Sequence, residues 1–356
     1  MNSTDQSSTQ TPPRVDWVDY AKGICIILVV MMHAVYGVEH VFAGKGWMHP
    51  VVEFARPFRI PDFFLVAGLF LHRSIHGPLV DYLDRKVVHF IYFYALWLTL
   101  QFPVVEFDVM MSEPGYFLKL WAFSFIEPTN SLWFVHMLAI FYVVTRLLRK
   151  VPIWIVLTGA FVLQSLYQLV LIDTGWGVID RFANRYVYFF MGYAFAPQIF
   201  RFAERAAKAP VMGGIGLLVW AALNAWAVSF GLHEEVLFSF ILGLAGATAV
   251  CIISALLTRF RAADFLRYCG RHSIVIYLTY AFPLVVMERL VWPKTGAPLG
   301  DVGLACAVTL ALAVGLPLAF HALIRGTPLK LLYERPDWAS LSGSERGQRR
   351  AALSAK

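Results

Sequence analysis

The chain has 356 residues, of which 59% are hydrophobic and only 15% are charged, and its formal net charge is +7. Because a soluble domain carries about 25% charged residues, this composition excludes an ordinary soluble protein and predicts apolar runs of about 20 residues that cross a membrane. A positive net charge can indicate nucleic-acid binding, but basic cytoplasmic loops explain it better in a membrane protein, so no nucleic-acid partner is expected.

In chain order, the sequence begins with a polar stretch of low complexity at 1–13, which predicts a disordered tail. Residues 14–325 are dominated by apolar runs and predict one all-α membrane domain. The ten predicted membrane-spanning segments are 17–38, 51–72, 87–110, 131–148, 152–172, 184–200, 211–230, 236–258, 272–292 and 301–324. A shorter apolar run at 114–127 predicts an interfacial or re-entrant position. The polar and basic residues 326–356 predict a cytoplasmic tail.

The charges of the connecting loops predict the orientation of these segments. If the amino terminus is cytoplasmic, 22 of the 30 Lys and Arg residues fall on the cytoplasmic side, 6 fall on the outer side and 2 lie within the second segment. Positive residues concentrate in the cytoplasmic loops of membrane proteins. The sequence therefore predicts an even number of membrane-spanning helices, with both termini in the cytoplasm.

Two ionisable residues interrupt the first apolar segment. Lys22 and His33 are eleven positions apart, so an α-helix returns them to the same face and separates them by about 16 Å along its axis. Lys22 is expected near the cytoplasmic end, where Asp19 can pair with it, and His33 in the outer half of the membrane. Ionisable groups at membrane depth are costly and indicate a functional site.

The second apolar segment has four charged residues in its outer half. They are Glu53, Arg56, Arg59 and Asp62. In a segment antiparallel to the first, the two arginines lie near the depth of His33. Pro57 and Pro61 remove backbone donors and predict a kink. Ala67 and Gly68 are expected to leave space opposite the inner half of the first segment, so the two segments together predict a channel.

Simpler interpretations of the same residues stay open. Lys22 can extend its ammonium group to the inner headgroups. His33 can be a hydrogen-bonded core residue. Arg56 and Arg59 can pair with Glu53 and Asp62 only to hold helices together.

The cysteines give no sign of a metal site or of a disulfide framework. All of them lie in or beside apolar runs: Cys25, Cys251, Cys269 and Cys306. Their spacing is not that of metal ligands, so the sequence predicts free core thiols and no bound metal.

Five stretches resemble the acyltransferase-3 family of ten-helix membrane proteins. The first helix of that family carries a basic residue, ten intervening residues and a histidine, as in RVDWVDYAKGICIILVVMMHAVYG. FRIPDFFLVAGLFLHR is similar to its second-helix pattern, although Asp62 stands where an apolar residue is usual and Ala67 replaces a serine. SLWFVHMLAIFYV, NRYVYFFMGYAFA and YCGRHSIVIYLTYAF resemble three later motifs. The last motif often continues to a histidine, where this chain has Thr279 and Tyr280, and the role of that position stays open.

The resemblance implies a multi-pass enzyme of the inner cell membrane. Such proteins transfer an acyl group, commonly acetyl, from cytoplasmic acyl-coenzyme A to a hydroxyl of a cell-surface glycan or of its lipid-linked precursor. The expected partners are thus acyl-coenzyme A as co-substrate, a glycan or lipid-linked sugar acceptor and the lipid bilayer, with no bound cofactor. An extra extracytoplasmic hydrolase-like domain, found in some members, is not expected here. The sequence indicates neither the acceptor, nor the acyl group, nor the oligomeric state.

The same interpretation gives roles to the buried cations. His33 is the expected general base, and Arg56 or Arg59 is expected to stabilise the negative charge that develops in the reaction. The basic residues expected to bind the phosphates of the donor are Lys22, Arg73, Lys86 and Arg271. A transporter of a glycan-lipid or small solute is the alternative, since it would need similar buried charges. A non-catalytic scaffold would not explain them.

Overall fold

The chain folds into α-helices joined by short turns, as seen in a computed structural model that describes residues 15–260 and 263–341. The helices are α1 Asp16–Phe42, α2 His49–Ala55, α3 Arg59–Gly68, α4 Leu79–Leu83, α5 His89–Val105, α6 Phe107–Ser112, α7 Pro114–Phe123, α8 Trp133–Leu147, α9 Ile153–Gln168, α10 Gly177–Ala194, α11 Ala196–Lys208, α12 Pro210–Ser229, α13 Val236–Phe260, α14 Asp264–Arg271, α15 Ser273–Thr279, α16 Ala281–Val286, α17 Trp292–Thr295 and α18 Val302–Ile324. Single π-helical turns at Asp84–Val88 and Met287–Val291 connect α4 to α5 and α16 to α17. The predicted disordered tail at 1–13 lies outside the described residues.

Six helical segments among the described residues are long and apolar enough to cross a membrane. They are Asp16–Phe42, Leu79–Val105, Pro210–Ser229, Val236–Arg259, Ser273–Thr295 and Val302–Ile324. Each overlaps one of the ten segments predicted from the sequence. The protein is therefore an all-α, multi-pass membrane protein, while the count of ten and the side on which each terminus lies stay predictions.

The other four predicted segments consist of shorter or interrupted helices. Segment 51–72 is divided between α2 and α3, which meet at a break over residues 56–58 that contains Pro57. This break confirms the predicted kink, because proline cannot donate the backbone hydrogen bond that would continue the helix. Segment 184–200 is likewise divided between α10 and α11, and the short run at 114–127 forms the largely exposed α7.

The first helix lies at the centre of the bundle. It packs against α3, α13, α14 and α18, and its contact with α14 is close because glycines face it. A Cβ atom at Gly23 would lie 2.0 Å from the Leu266 carbonyl oxygen, and one at Gly270 would lie 1.7 Å from the Asp19 carbonyl oxygen. Both positions therefore require glycine, and they bring Arg271 beside the amino-terminal end of α1.

The space at Gly68 differs from the prediction. A Cβ atom there would lie 2.2 Å from the Phe189 carbonyl oxygen of α10. Gly68 thus permits α3 to pack against α10, and the space it provides faces α10 rather than α1. The prediction for Ala67 is correct, since this residue lines a cavity beside α1.

The cytoplasmic position predicted for 326–356 stays a prediction, but the described part of this segment is packed rather than loose. Residues 326–341 do not extend away from the membrane domain but return to it, with Tyr333 only 8% exposed. The four cysteines are free and buried, as predicted.

Candidate functional site

His33 lies on the carboxyl-terminal half of α1 beside a small cavity, the His33 cavity, of about 170 Å³. The residues that line it are Val29, Met32, His33, Ile60, Phe63, Ser131, Trp133, Phe134, Tyr277 and Tyr280. The imidazole ring is 5.3 Å from the ring of Tyr280, centroid to centroid. The cavity is thus largely aromatic and apolar, which strengthens electrostatic interactions inside it because little water is present.

A second cavity, the basic cavity, lies beside the amino-terminal half of α1 and measures about 320 Å³. Its charged lining residues are Asp19, Lys22, Lys86 and Arg271. They come from α1, the π-helical turn before α5, and the end of α14, three elements far apart in the sequence. Three of the four predicted donor-binding cations therefore line one cavity.

Contacts with neighbouring groups hold these cations at the cavity wall. Arg271 donates from Nε to Asp19 Oδ2 over 3.1 Å. Lys86 Nζ lies 5.1 Å from the centroid of the Tyr142 ring, and Lys22 Nζ lies 5.6 Å from that of Phe70. Such cation–π contacts stabilise an ammonium group without neutralising its charge. The cavity is therefore suited to an anionic ligand.

A layer of aromatic side chains separates the two cavities. Phe63, Phe134 and Tyr277 line both of them. The rings of Phe63 and Phe134 stack with centroids 4.3 Å apart and planes 13° apart. Tyr277 donates its hydroxyl to the Ser131 carbonyl oxygen over 2.5 Å and accepts from the Phe134 amide over 3.2 Å. The layer, here called the aromatic layer, thus has its tyrosine fixed by backbone groups.

The prediction that Lys22 and His33 share a face agrees with this arrangement. The helix α1 is continuous from Asp16 to Phe42, so the two residues are separated by about 16 Å along its axis. One side chain lines the basic cavity and the other lines the His33 cavity, with the aromatic layer between them.

Neither predicted arginine is among the described residues that line the His33 cavity, but Arg59 is near enough to His33 for their charges to interact. Arg59 is 7% exposed, donates to the Val52 carbonyl oxygen over 3.1 Å and acts electrostatically on His33. Arg56 is 47% exposed and forms ion pairs with Glu53 at 3.3 Å and Glu234 at 3.5 Å. The ion-pair interpretation therefore suits Arg56 better than a role beside His33.

Two other predicted residues also lie apart from the cavities. The guanidinium carbon of Arg73 is 6.0 Å from the Phe70 ring centroid and 5.8 Å from that of Phe200. Phe70 lines the basic cavity, and Arg73 is not among the described residues that do. Asp62 is 1% exposed, and neither of its carboxylate oxygens has a hydrogen-bond partner within the described chain. It therefore forms no ion pair with Arg56 or Arg59.

The sequence does not predict that aromatic side chains line the His33 cavity and separate it from the basic cavity. Phe134 lies in the motif SLWFVHMLAIFYV, and Tyr277 and Tyr280 lie in YCGRHSIVIYLTYAF. The motifs assign them no role, yet all three line the His33 cavity. Arg185 is one of the six cations that the loop charges assign to the outer side. It lies within α10, only partly accessible, and near enough to Arg59 for the two charges to interact. A lone arginine in an apolar segment was the signal that could have drawn attention to it.

Comparisons with known proteins agree with this architecture. The family model described as an acyltransferase domain matches residues 15–320. The inner membrane protein YcfT of Escherichia coli (strain K12) is 23% identical over 297 residues, which cover 74% of this chain and 78% of that protein. No solved structure matches significantly. Since the family match covers most of the chain, this protein belongs to the acyltransferase-3 family.

Proposed function

We propose that the protein is an O-acyltransferase of the inner membrane, which moves an acyl group, most simply acetyl, from cytoplasmic acyl-coenzyme A to a hydroxyl of a surface glycan or of its lipid-linked precursor. Membership of the acyltransferase-3 family and the similarity to an inner membrane protein support this proposal. The observation that carries it is the alignment of a basic cavity and a histidine cavity along α1.

The basic cavity is proposed to hold the phosphates of coenzyme A. Lys22, Lys86 and Arg271 supply positive charge from three sides. Lysine contributes a compact point charge, whereas arginine can hold two phosphate oxygens at once. Asp19 orients Arg271 and balances part of the positive charge of the cavity. The ligand therefore does not have to neutralise all of that charge. The long pantetheine arm would then extend along α1 toward His33.

The aromatic layer is the boundary that this arm has to cross. Its stacked rings close the space between the cavities, so the proposal requires the side chains of Phe63 and Phe134 to move when the donor binds. The thioester would then lie in the His33 cavity, shielded from cytoplasmic water. Exclusion of water limits wasteful hydrolysis of the activated acyl group.

In the His33 cavity, the imidazole is proposed to act as general base. It takes the proton from the acceptor hydroxyl as the oxygen attacks the thioester carbon, and the coenzyme A thiolate leaves when the tetrahedral intermediate collapses. General-base catalysis of this kind contributes roughly 10²–10⁴-fold to the rate. Arg59 is the nearer of the two predicted arginines and is proposed to stabilise the oxyanion. The acceptor would approach from the outer end of α1, where Tyr36 is exposed.

The experiment that tests the proposed function compares the surface and lipid-linked glycans of cells with and without the gene by mass spectrometry. We expect acyl-sized mass additions on hydroxyl groups only in cells that have the gene, and the added mass identifies the acyl group. If the protein is a transporter, the gene changes the amount or location of a glycan or solute but adds no acyl mass.

A further inference from the structure

The carboxyl-terminal segment, here Pro328–Leu341, returns to the membrane domain through specific contacts. Its 3-10 helix, Pro328–Leu332, lies beside α5, where Trp97 donates from Nε1 to the Leu332 carbonyl oxygen over 2.8 Å. Tyr92 donates its hydroxyl to the Leu331 carbonyl oxygen over 3.1 Å. A segment held by backbone carbonyls in this way has a defined position rather than lying loosely on the surface.

The strongest contact of this segment is a buried ion pair. Arg335 donates from Nη2 to Asp84 Oδ2 over 2.7 Å and from Nη1 to the Asp84 carbonyl oxygen over 2.9 Å. The Leu341 amide donates to the other carboxylate oxygen over 2.7 Å. The Asp84 side chain is 1% exposed and that of Arg335 is 11% exposed. A buried carboxylate is costly unless it is fully hydrogen-bonded, so removal of Arg335 leaves Asp84 poorly compensated.

Asp84 is also the first residue of the π-helical turn that carries Lys86 into the basic cavity. π-Helical turns are rare and energetically poor, and they persist where the surroundings hold them. The contacts of Asp84 hold the start of this turn in place. Lys86, two residues after Asp84, lies with its ammonium group over the Tyr142 ring. The position of the Lys86 ammonium group therefore depends on the carboxyl-terminal segment.

The same segment has a second anchor near the other cavity. Tyr333 forms a 2.5 Å hydrogen bond with Thr279 Oγ1, and burial raises the pKa of the Tyr333 hydroxyl, so this group stays protonated. Thr279 precedes Tyr280, whose ring lies against His33. The segment thus contacts the π-helical turn that carries Lys86 and the end of α15, next to Tyr280.

We propose that the carboxyl-terminal segment is a clasp in which Arg335, through its buried pair with Asp84, is a positioning residue for Lys86 in the anion site of the basic cavity. The inference rests on the proposed function only in naming the anion, a phosphate of coenzyme A. It assigns a ligand-positioning role to Arg335, which lies outside the family match that ends at 320.

The test uses the purified full-length protein with two measurements. One is the dissociation constant of coenzyme A by calorimetry, and the other is the rate at which an amine-reactive reagent modifies Lys86, followed by mass spectrometry. The variants are Arg335→Gln, Arg335→Lys as the conservative replacement, and Lys330→Gln as a matched control on the exposed side of the same segment. Melting temperatures are measured for all of them.

We expect Arg335→Gln to weaken coenzyme A binding about tenfold, as for a residue that acts through another, and to change the Lys86 labelling rate. Arg335→Lys should restore part of both, and Lys330→Gln should change neither. If Arg335→Gln lowers only the melting temperature, the clasp is merely structural and the inference is wrong. If Arg335→Gln does not fold, Asp84→Asn replaces it, since the amide keeps the shape of the carboxylate.

The two proposals can fail separately. If the wild-type protein does not bind coenzyme A, the proposed function loses its donor site, but Lys86 labelling still tests the clasp. In that case an altered labelling rate in Arg335→Gln supports the positioning role, and an unaltered rate overturns it.

Discussion

Lys22 and His33 belong to one helix but face different surroundings. Lys22 lines a cavity with two other cations, whereas His33 lines a cavity whose remaining members are mainly apolar and aromatic. The first environment suits a charged ligand, and the second suits a proton transfer that water would disturb. The two residues can therefore perform consecutive parts of one reaction, donor binding and deprotonation of the acceptor.

Lys22 provides the prediction that belongs to donor binding. Lys22→Ala should weaken coenzyme A binding roughly tenfold, because a hydrogen bond to a charged group is lost, and should reduce the dependence of binding on salt. Lys22→Arg should retain part of the affinity. Arg149→Ala removes an exposed cation from outside the cavity and serves as the control. Unchanged affinity in Lys22→Ala would mean that this lysine only extends to the headgroups.

The surroundings of a site residue can be predicted from the sequence when they depend on one helix, but not when they depend on how several helices meet. The shared face of Lys22 and His33 follows from helical periodicity alone, and this prediction agrees with the structure. Arg56, in contrast, forms an ion pair at the surface with Glu234, which lies far away in the sequence. No local pattern contains such a contact, so periodicity could not predict it.

At the scale of helices, close packing and aromatic stacking shape the site. Glycines let α1 approach α14 and let α3 approach α10, while side chains from α3, α8 and α15 form the aromatic layer. The sequence showed the proline break between α2 and α3. The layer itself could not be predicted, because it depends on how three separate helices meet.

The contact of α1 with α14 gives a stability prediction. Gly270→Ala should lower the free energy of unfolding by about 1–3 kcal/mol, the usual cost of overpacking, since its Cβ atom would collide with the Asp19 carbonyl group. Gly214→Ala on α12 is the control, because nothing lies within 4 Å of the added methyl group. Thermal unfolding in detergent measures both. Equal stability of Gly270→Ala and wild type would contradict the close contact.

The aromatic layer gives a prediction about the acyl group. Phe134→Leu removes one stacked ring and should let longer acyl donors reach His33, which raises the rate with butyryl-coenzyme A relative to acetyl-coenzyme A roughly tenfold. The affinity for the coenzyme should stay within about twofold, because the cations proposed to bind its phosphates, Lys22, Lys86 and Arg271, are unchanged. Phe107→Leu alters an exposed ring and serves as the control. An unchanged donor preference in Phe134→Leu would exclude the layer from the donor path.

At the scale of the whole molecule, the bundle surrounds α1, so that the central helix connects the two cavities. The composition and the apolar runs predict an all-α membrane protein, and the described helices confirm that class. The return of the carboxyl-terminal segment was not predicted, because a polar and basic sequence is also typical of a loose tail. Side chains such as Arg335 and Tyr333, each matched to a distant partner, distinguish the packed segment from a loose tail.

The topology prediction concerns the whole chain. A reporter enzyme that is active only outside the cytoplasm, fused after Lys356, should give no signal, because the loop charges predict that both termini lie in the cytoplasm. A reporter that is active only in the cytoplasm provides the matched control at the same position. A strong signal from the first reporter would mean an odd number of membrane-spanning helices.

The measurement that tests the central claim most directly uses the purified protein in sealed vesicles, with radiolabelled acetyl-coenzyme A on the side of Lys22 and a glycan acceptor on the side of His33. We expect the acceptor to gain label through an ester bond. His33→Ala should abolish this labelling while retaining coenzyme A binding, and His40→Ala, an exposed histidine on the same helix, should label normally. Undiminished labelling by a well-folded His33→Ala protein would contradict the account.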